Sequence, residues 1–172
     1  FDSIVMDDIG EHGFAIRNTS GDGRTIRVTG NSISADNCDN LCVDYSGGSQ
    51  VNGGPCVSKI KIIKGKDNAF GVKIAGNHVG SLDILDLKDT NLVNQSADSA
   101  LYTNSTFETF SIGIYKCENS YNGALAHAQT GELTIDSLTS INSNSSGNAN
   151  GDVVQSGTGS ELIVRSYSGT GH

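Results

Sequence analysis

Two short runs of sequence decide the fold: Ile60-Lys61-Ile62 and, 22 residues later, Leu82-Asp83-Ile84. In each run two apolar side chains flank a charged one, which is the period-2 pattern of a strand with one buried face. Such runs recur at intervals of 22 to 34 residues, which predicts a repeat protein in which each copy stacks on the next. The other copies are Ile26-Arg27-Val28, Phe110-Ser111-Ile112, Leu133-Thr134-Ile135 and Leu162-Ile163-Val164, with an earlier apolar run at Ile4.

A second apolar strip follows each first strip along the chain. Glycine often precedes it, at Gly13, Gly71, Gly123 and Gly151. Glycine suits a bend between two sheets, because it has no Cβ and tolerates close backbone approach. The pattern therefore predicts two strands per repeat, in separate sheets. The second strips are Phe14-Ala15-Ile16, Leu41-Cys42-Val43, Val72-Lys73-Ile74, Ala100-Leu101-Tyr102, Ala124-Leu125-Ala126 and Val153-Val154.

Both series of strips predict an all-β chain, folded as a right-handed parallel β-helix. This solenoid would have six to seven rungs in a single domain over residues 1–172. Neither end of the sequence has the capping segment that a solenoid needs, so we expect a fragment of a longer chain. Arg27, Lys61, Asp83, Ser111 and Thr134 should point outward. The predicted interior contains Ile26, Val28, Ile60, Ile62, Leu82, Ile84, Phe110, Ile112, Leu133 and Ile135.

Two further patterns predict the register between rungs. Four asparagines fall eight or nine residues after the start of their runs, and they are either a stacked ladder or ordinary turn residues. Three pairs of opposite charges should also occupy equivalent positions in adjacent rungs, where they are favourable. The asparagines are Asn68, Asn91, Asn119 and Asn142, and the pairs are Lys61 with Asp83, Arg17 with Asp44 and Asp136 with Arg165.

Composition and charge limit the partners. The net charge is −8, which disfavours nucleic acids and anionic membranes because both need a basic face. No stretch of the sequence approaches 18 consecutive apolar residues, so we expect no membrane span.

The Ile-x-Ile runs, the asparagine series and the glycines before second strips resemble the pectate-lyase-like superfamily. That group includes pectate lyases, polygalacturonases, alginate-processing enzymes and bacteriophage tailspike depolymerases. The resemblance covers roughly residues 1–167, and the Ser/Asn/Gly-rich acidic composition looks most like a tailspike. It implies recognition and cleavage of a bacterial surface polysaccharide by a homotrimer on a virion tail or extracellular surface.

Two alternatives stay open, because one fold hosts many functions. The first is a non-catalytic glycan-binding or structural β-solenoid, such as an adhesin or virion structural protein. The second is a secreted polysaccharide lyase or hydrolase of the pectate-lyase-like type.

The candidate catalytic residues are Asp7, Asp8, Glu11 and His12. Paired carboxylates serve as acid and base in glycoside hydrolysis, and a histidine can relay a proton. Asp7-Asp8 and His12-Gly13 match pieces of the polygalacturonase motifs, although only four residues separate Asp8 from His12. The family's Asn-Thr-Asp and Arg-Ile-Lys motifs are missing. The alternative interpretation is a solvated turn.

The candidate substrate-binding residues are Arg17, Asp44, Tyr45, Lys61 and Lys64. The two lysines belong to a basic strip that can bind an acidic glycan or abstract a proton beside a uronate. The strip consists of Lys59, Lys61, Lys64 and Lys66, with Lys73 on the same rung. The other three accompany the longest interval in the repeat, the 34 residues from Ile26 to Ile60. Glycan contact is therefore expected on the first three rungs.

Other polar residues give predictions about metal binding, sugar binding and disulfides. Asp36 and Asp39 can offer hard oxygen ligands to Ca²⁺, and no other cofactor is expected. His127 is predicted in an outward column with Thr103 and Gln155, which can hydrogen-bond sugar hydroxyls. Cys117 should be a free thiol, with Cys38–Cys56 as the natural disulfide if one forms.

Overall fold

The computed structural model describes residues 1–10, 13–17, 24–39, 41–46, 55–90, 99–104, 108–127, 130–144, 152–155 and 158–171. These residues form strands, turns and bends with no helix among them, which confirms the all-β prediction. Accordingly, this part of the chain contains no helix long and apolar enough to cross a membrane.

The strands form two parallel sheets, and the chain passes from one to the other and back. Neighbours in the first sheet are successive odd-numbered strands, and β13 and β14 both pair with β11. The first sheet contains β1 (Ser3–Asp7), β3 (Ile26–Asp36), β5 (Cys56–Lys66), β7 (His78–Lys88), β9 (Thr109–Glu118), β11 (Gly131–Ile141), β13 (Ser160–Val164) and β14 (Tyr167–Thr170). The second contains β2 (Phe14–Arg17), β4 (Leu41–Ser46), β6 (Phe70–Ala75), β8 (Leu101–Asn104), β10 (Leu125–His127) and β12 (Val153–Gln155).

The register confirms some predicted alignments. Ile60 pairs with Leu82, and Leu133 pairs with both Phe110 and Leu162.

Three other alignments were wrong. Ile4 pairs with Ile33 rather than Ile26, Ile26 pairs with Cys56, and Leu82 pairs with Ile112. Ile26 and Cys56 are 30 residues apart, and so are Leu82 and Ile112. The interval after Ile26 is therefore no longer than the interval after Leu82. The errors at Ile26 and Leu82 are shifts of four and two residues, which keep the same side chains on the same face, so a period-2 pattern cannot distinguish them. The error at Ile4 is a shift of seven residues.

Each long strand bends in its middle. In β5, Lys61 and Ile62 both turn outward, and the buried series continues at Ile63 instead. The ladder pairing skips Lys61 and its counterparts Asp83, Gly113 and Asp136, which places the bend at the same level in successive strands.

The bend corrects the predicted interior. Ile62 and Ile84 are only half-buried because they follow the bend, Val28 is also half-buried, and Ile26 is 37% exposed. The side chains of Arg27, Lys61, Asp83 and Ser111 are exposed as predicted, whereas that of Thr134 is half-buried. The other six predicted core residues are buried: Ile60, Leu82, Phe110, Ile112, Leu133 and Ile135.

One hydrophobic cluster joins the inner faces of both sheets. Ile63 and Leu85 contribute from the first sheet, and Ile74 and Leu101 from the second. Gly71, predicted at a bend, lies so close to the start of β8 that a Cβ there would overlap the carbonyl oxygen of Ala100, the residue before that strand. That contact explains why glycine precedes this second strip.

A column of Asp and Asn residues ends each long strand. Its members have φ between 50° and 56°, the left-handed region that Asn and Asp tolerate better than other non-glycine residues. Asn119 and Asn142 belong to it as predicted, but Asn68 is the next residue along and is buried, so the four-asparagine ladder was wrong. Asn91 lies outside the described residues. We call this series the turn column, and its members are Asp8, Asn37, Asp67, Asp89, Asn119 and Asn142.

The buried Asn68 has a structural role instead. Its Nδ2 donates to the Ala35 carbonyl at 2.7 Å, and its Oδ1 accepts from the Cys38 amide at 2.9 Å. Both groups need such partners because a buried polar group without one costs about 1–3 kcal/mol.

The described cysteines are free thiols. Cys117 is buried and unbridged, as predicted. Cys38 and Cys56 are also free and buried, so the predicted disulfide between them does not form in this structure.

Candidate functional site

The outward side of the long strands beyond their bend carries a cluster of charged side chains. We call it the charged face. Because the strands are parallel and in register, residues 22 to 30 positions apart in sequence stack in two neighbouring columns. The first column contains Ser34, Lys64, Asp86 and Lys116, and the second contains Asp36, Lys66, Lys88 and Glu118.

Glu118 links two lysines on this face. Its Oε1 lies 3.2 Å from Lys88 Nζ, and its Oε2 lies 3.4 Å from Lys116 Nζ. The hydrogen bond and charge of Lys88, followed by those of Lys116, hold the pKa of Glu118 below its usual value. Glu118 is therefore an ionised acceptor at neutral pH, which is unsuited to a general acid.

Lys66 is compensated in the same way. Its Nζ lies 3.1 Å from Asp67 Oδ2, and the hydrogen bond and charge of Asp67 raise the pKa of Lys66. Both side chains are about half exposed, so the pair contributes little to stability. The pair changes the local charge instead, because Asp67 of the turn column neutralises Lys66 of the charged face.

A shallow groove of about 280 Å³ crosses the charged face. It offers ammonium donors and carboxylate or hydroxyl acceptors side by side, which is the set that a sugar hydroxyl requires. The lining residues are Ser34, Asp36, Lys64, Gly65, Lys66, Asp86, Lys88, Lys116 and Glu118.

An apolar column borders the two charged columns. Ile62, Ile84 and Ile114 pair in register at the bend, two residues before Lys64, Asp86 and Lys116 respectively. Ile114 is 51% exposed, and Ile62 and Ile84 are half-buried. We call these three residues the isoleucine ledge.

The structure places two of the four predicted catalytic residues. Asp7 and Asp8 are exposed at the end of β1, where Asp7 pairs with Asp36 and its Oδ1 accepts from Asn37 Nδ2 at 2.7 Å. Asp8 is the first member of the turn column, so it has a conformational role there. Glu11 and His12 lie outside the described residues.

The predicted substrate-binding residues do not form one group. Lys61 lies at the bend, and Lys64 lies beyond it in the groove. Asp44 pairs with Ala15, and Arg17 with Ser46, so the predicted register of Arg17 with Asp44 was wrong. Tyr45 pairs with Ile16 and Ile74, and the side chains of Arg17, Asp44 and Tyr45 lie outside what the structure describes.

The other predicted charge pairs have different outcomes. Arg165 Nε lies 2.9 Å from Asp136 Oδ1, which confirms that pair. Lys61 and Asp83 occupy equivalent positions in adjacent strands, between the paired levels Ile60–Leu82 and Ile62–Ile84.

The calcium candidates belong to the turn structure. Asp36 Oδ1 accepts from the Lys66 amide at 3.0 Å, and Asp39 is exposed. Over the described ranges, no group of three or more His, Cys, Asp or Glu side chains is arranged to hold a metal ion.

His127 lies inside rather than outside, which corrects its predicted role in a sugar-binding shelf. It pairs with Thr103 and Gln155 as predicted, but His127 and Thr103 are buried. The Gly131 carbonyl, 3.2 Å from His127 Nε2, requires a proton on that nitrogen, so Nδ1 accepts from the Thr103 hydroxyl at 3.0 Å. His127 and Thr103 face inward because alternate residues of these strands point into the core.

A second buried histidine, His78, has a serine partner like that of a catalytic base, but both side chains are closed off from solvent. His78 Nε2 lies 2.8 Å from Ser58 Oγ, a separation typical of a nucleophile and its base. Both residues are buried, and the Phe110 ring packs 5.8 Å from the imidazole. The pair is therefore part of the core.

Sequence reasoning missed most of the groove. Of its charged residues, only Lys64 and Asp36 were predicted as site residues, with Lys66 in the basic strip. Asp86, Lys88, Lys116 and Glu118 were missed, although they recur at alternate positions after each apolar run. The alternation was a usable signal, but the bend within the strand changes which alternate set faces outward.

Comparison with known proteins adds no family to this description. The chain matches no protein-family model, no curated protein and no solved structure.

Proposed function

We propose that this chain is a right-handed parallel β-helix of the pectate-lyase-like class. Its support is the chain's regular passage between two parallel sheets, with one core between them and a turn column of constant backbone conformation. Parallel strands joined by crossovers take the right hand in almost all proteins. The six to seven rungs of the sequence prediction remain part of this proposal.

The proposed function is recognition of a bacterial surface polysaccharide along the charged face. The observation that carries it is the groove, where Lys88, Lys116 and Glu118 place donors and an ionised acceptor in adjacent strands. The stacked strands repeat outward polar side chains in register over several strands, as an extended polymer requires. Specificity then resides in outward side chains, because the repeated interior serves packing.

Cleavage of the polysaccharide, assembly as a homotrimer and location on a virion tail remain predictions from the resemblance. Cleavage by two carboxylates requires one of them to stay protonated as the general acid. Glu118 does not fit that role, since its pKa is lowered. The groove therefore supports binding more directly than catalysis.

The experiment is a binding and cleavage screen against purified capsules and O-antigens. Retardation in affinity electrophoresis reports binding, and new reducing ends or unsaturated uronates report cleavage. Lys88→Ala should weaken binding by about tenfold or more, because a charge-assisted hydrogen bond contributes about 1.5–3 kcal/mol. Lys59→Ala, an exposed lysine on the same sheet before the bend, is the matched control.

Equal loss in Lys88→Ala and Lys59→Ala would place binding elsewhere on the molecule. Absence of binding to every polysaccharide in the screen would contradict the proposed function.

A further inference from the structure

We infer that the glycan bound in the groove is neutral and hydroxyl-rich rather than a polyanion. This inference rests on the proposed function and names its substrate class. It differs from the expectation that the lysine strip binds an acidic glycan.

Lysines of the groove already have carboxylate partners. Lys88 and Lys116 already share Glu118, and Lys66 is paired with Asp67. A polyanion would have to displace these carboxylates or bind beside them. Either event costs free energy, because like charges repel and the lysine ammonium groups lose their present partners.

The charges in and beside the groove nearly cancel. Four lysines and three carboxylates line it, and the adjoining turn column adds Asp67 and Asp89. The lining residues alone sum to one positive charge, and these two aspartates bring the local balance to one negative charge, within a chain of net charge −8. A negative field repels polyanions over about one Debye length, roughly 10 Å at 0.1 M salt.

The groove has polar columns beside an apolar one. A pyranose ring has an apolar face of C–H groups and hydroxyls at its edge. The isoleucine ledge can pack against the apolar face, while Lys64 and Asp86 of the adjacent column reach the hydroxyls. A neutral sugar uses both donors and acceptors without disturbing the ion pairs.

The test compares purified neutral polysaccharides (dextran, mannan, mixed-linkage β-glucan) with acidic ones (polygalacturonate, alginate, hyaluronate). Affinity electrophoresis is run at about 0.05 M and about 0.5 M NaCl, because salt weakens electrostatic binding selectively. We expect retardation by at least one neutral polymer, with less than a twofold change in affinity between the two salt concentrations.

Glu118→Gln separates the two substrate classes. For a neutral glycan we expect about threefold weaker binding, since the neutral amide is a poorer acceptor. For a polyanion the same change strengthens binding, because Lys88 and Lys116 lose their competing carboxylate. Glu132→Gln, an exposed position before the bend, is the matched control and should change neither affinity.

The outcomes distinguish the two proposals. Salt-sensitive binding of an acidic polymer that Glu118→Gln strengthens would overturn this inference and leave glycan recognition standing. Absence of binding to both classes, and to the capsules and O-antigens above, would overturn the proposed function itself.

Discussion

Ile62 and Ile63 are consecutive in β5, yet Ile62 borders the charged face while Ile63 is fully buried in the core. The bend at Lys61 and Ile62 causes this difference, because two successive side chains point outward there. The same phase change recurs in β7, where Ile84 is half-buried and Leu85 is fully buried. Beyond the bend, inward side chains such as Ile63 belong to the core, and outward side chains form the face that we propose to bind glycan.

This relationship predicts unequal effects of two similar substitutions. Ile63→Ala should lower the free energy of unfolding by about 2–5 kcal/mol, because it leaves a cavity in a closely packed core. Ile62→Ala should cost less than half as much, since Ile62 is already partly in water. Chemical denaturation of the two variants measures the difference. Equal losses would contradict the different burial of Ile62 and Ile63 on either side of the strand.

Gly71 should be irreplaceable. In Gly71→Ala the new Cβ would overlap the Ala100 carbonyl oxygen, so β6 must move away from the start of β8. We expect a loss of more than about 3 kcal/mol or failure to fold, which exceeds ordinary overpacking. Gly10→Ala is the control, because the nearest atom to a Cβ at that position, Asp39 Oδ2, is 3.9 Å away. Thermal unfolding of both variants tests the contact.

Stability should fall as the solution becomes acidic. Burial lowers the pKa of His127, outweighing its backbone hydrogen bonds. Below the unfolded-state pKa of about 6.5 the unfolded chain takes up a proton that the folded chain resists. The stabilisation from a neutral His127 is therefore complete above that pH and lost progressively toward the lowered folded-state pKa.

Urea midpoints at pH 7.5 and pH 5.0 measure this effect. In His127→Gln, which keeps a polar side chain of similar size, the difference between the two midpoints should shrink. An unchanged difference would show that other groups cause the acid sensitivity.

Cys117 should resist thiol reagents in the native protein. Burial raises its pKa to about 12, so almost none of the reactive thiolate exists at pH 8. Peptide mapping after brief alkylation should find Cys117, Cys38 and Cys56 unmodified without denaturant and modified with it. Modification of Cys117 in the native protein, at the rate of a free thiol in solution, would contradict its burial.

Part of this structure was determined by the sequence alone. Alternation in runs such as Ile60-Lys61-Ile62 specified strands with one buried side, because successive side chains point to opposite faces. The recurrence of the strips specified two parallel series of strands, and Gly71 marked a close approach of the backbone. The ion pair of Asp136 with Arg165 followed from the same spacing.

Only the tertiary structure decided the exact register, the bend and the groove. Shifts of two or four residues leave a period-2 pattern unchanged, so only packing of Ile26 beside Cys56, and of Leu82 beside Ile112, selects one. Lys88 and Glu118 are 30 residues apart, and they meet because β7 and β9 stack in that register. A charged pair at such separation has no local signal in the sequence, since its geometry depends on the hydrophobic packing of the strands that carry it.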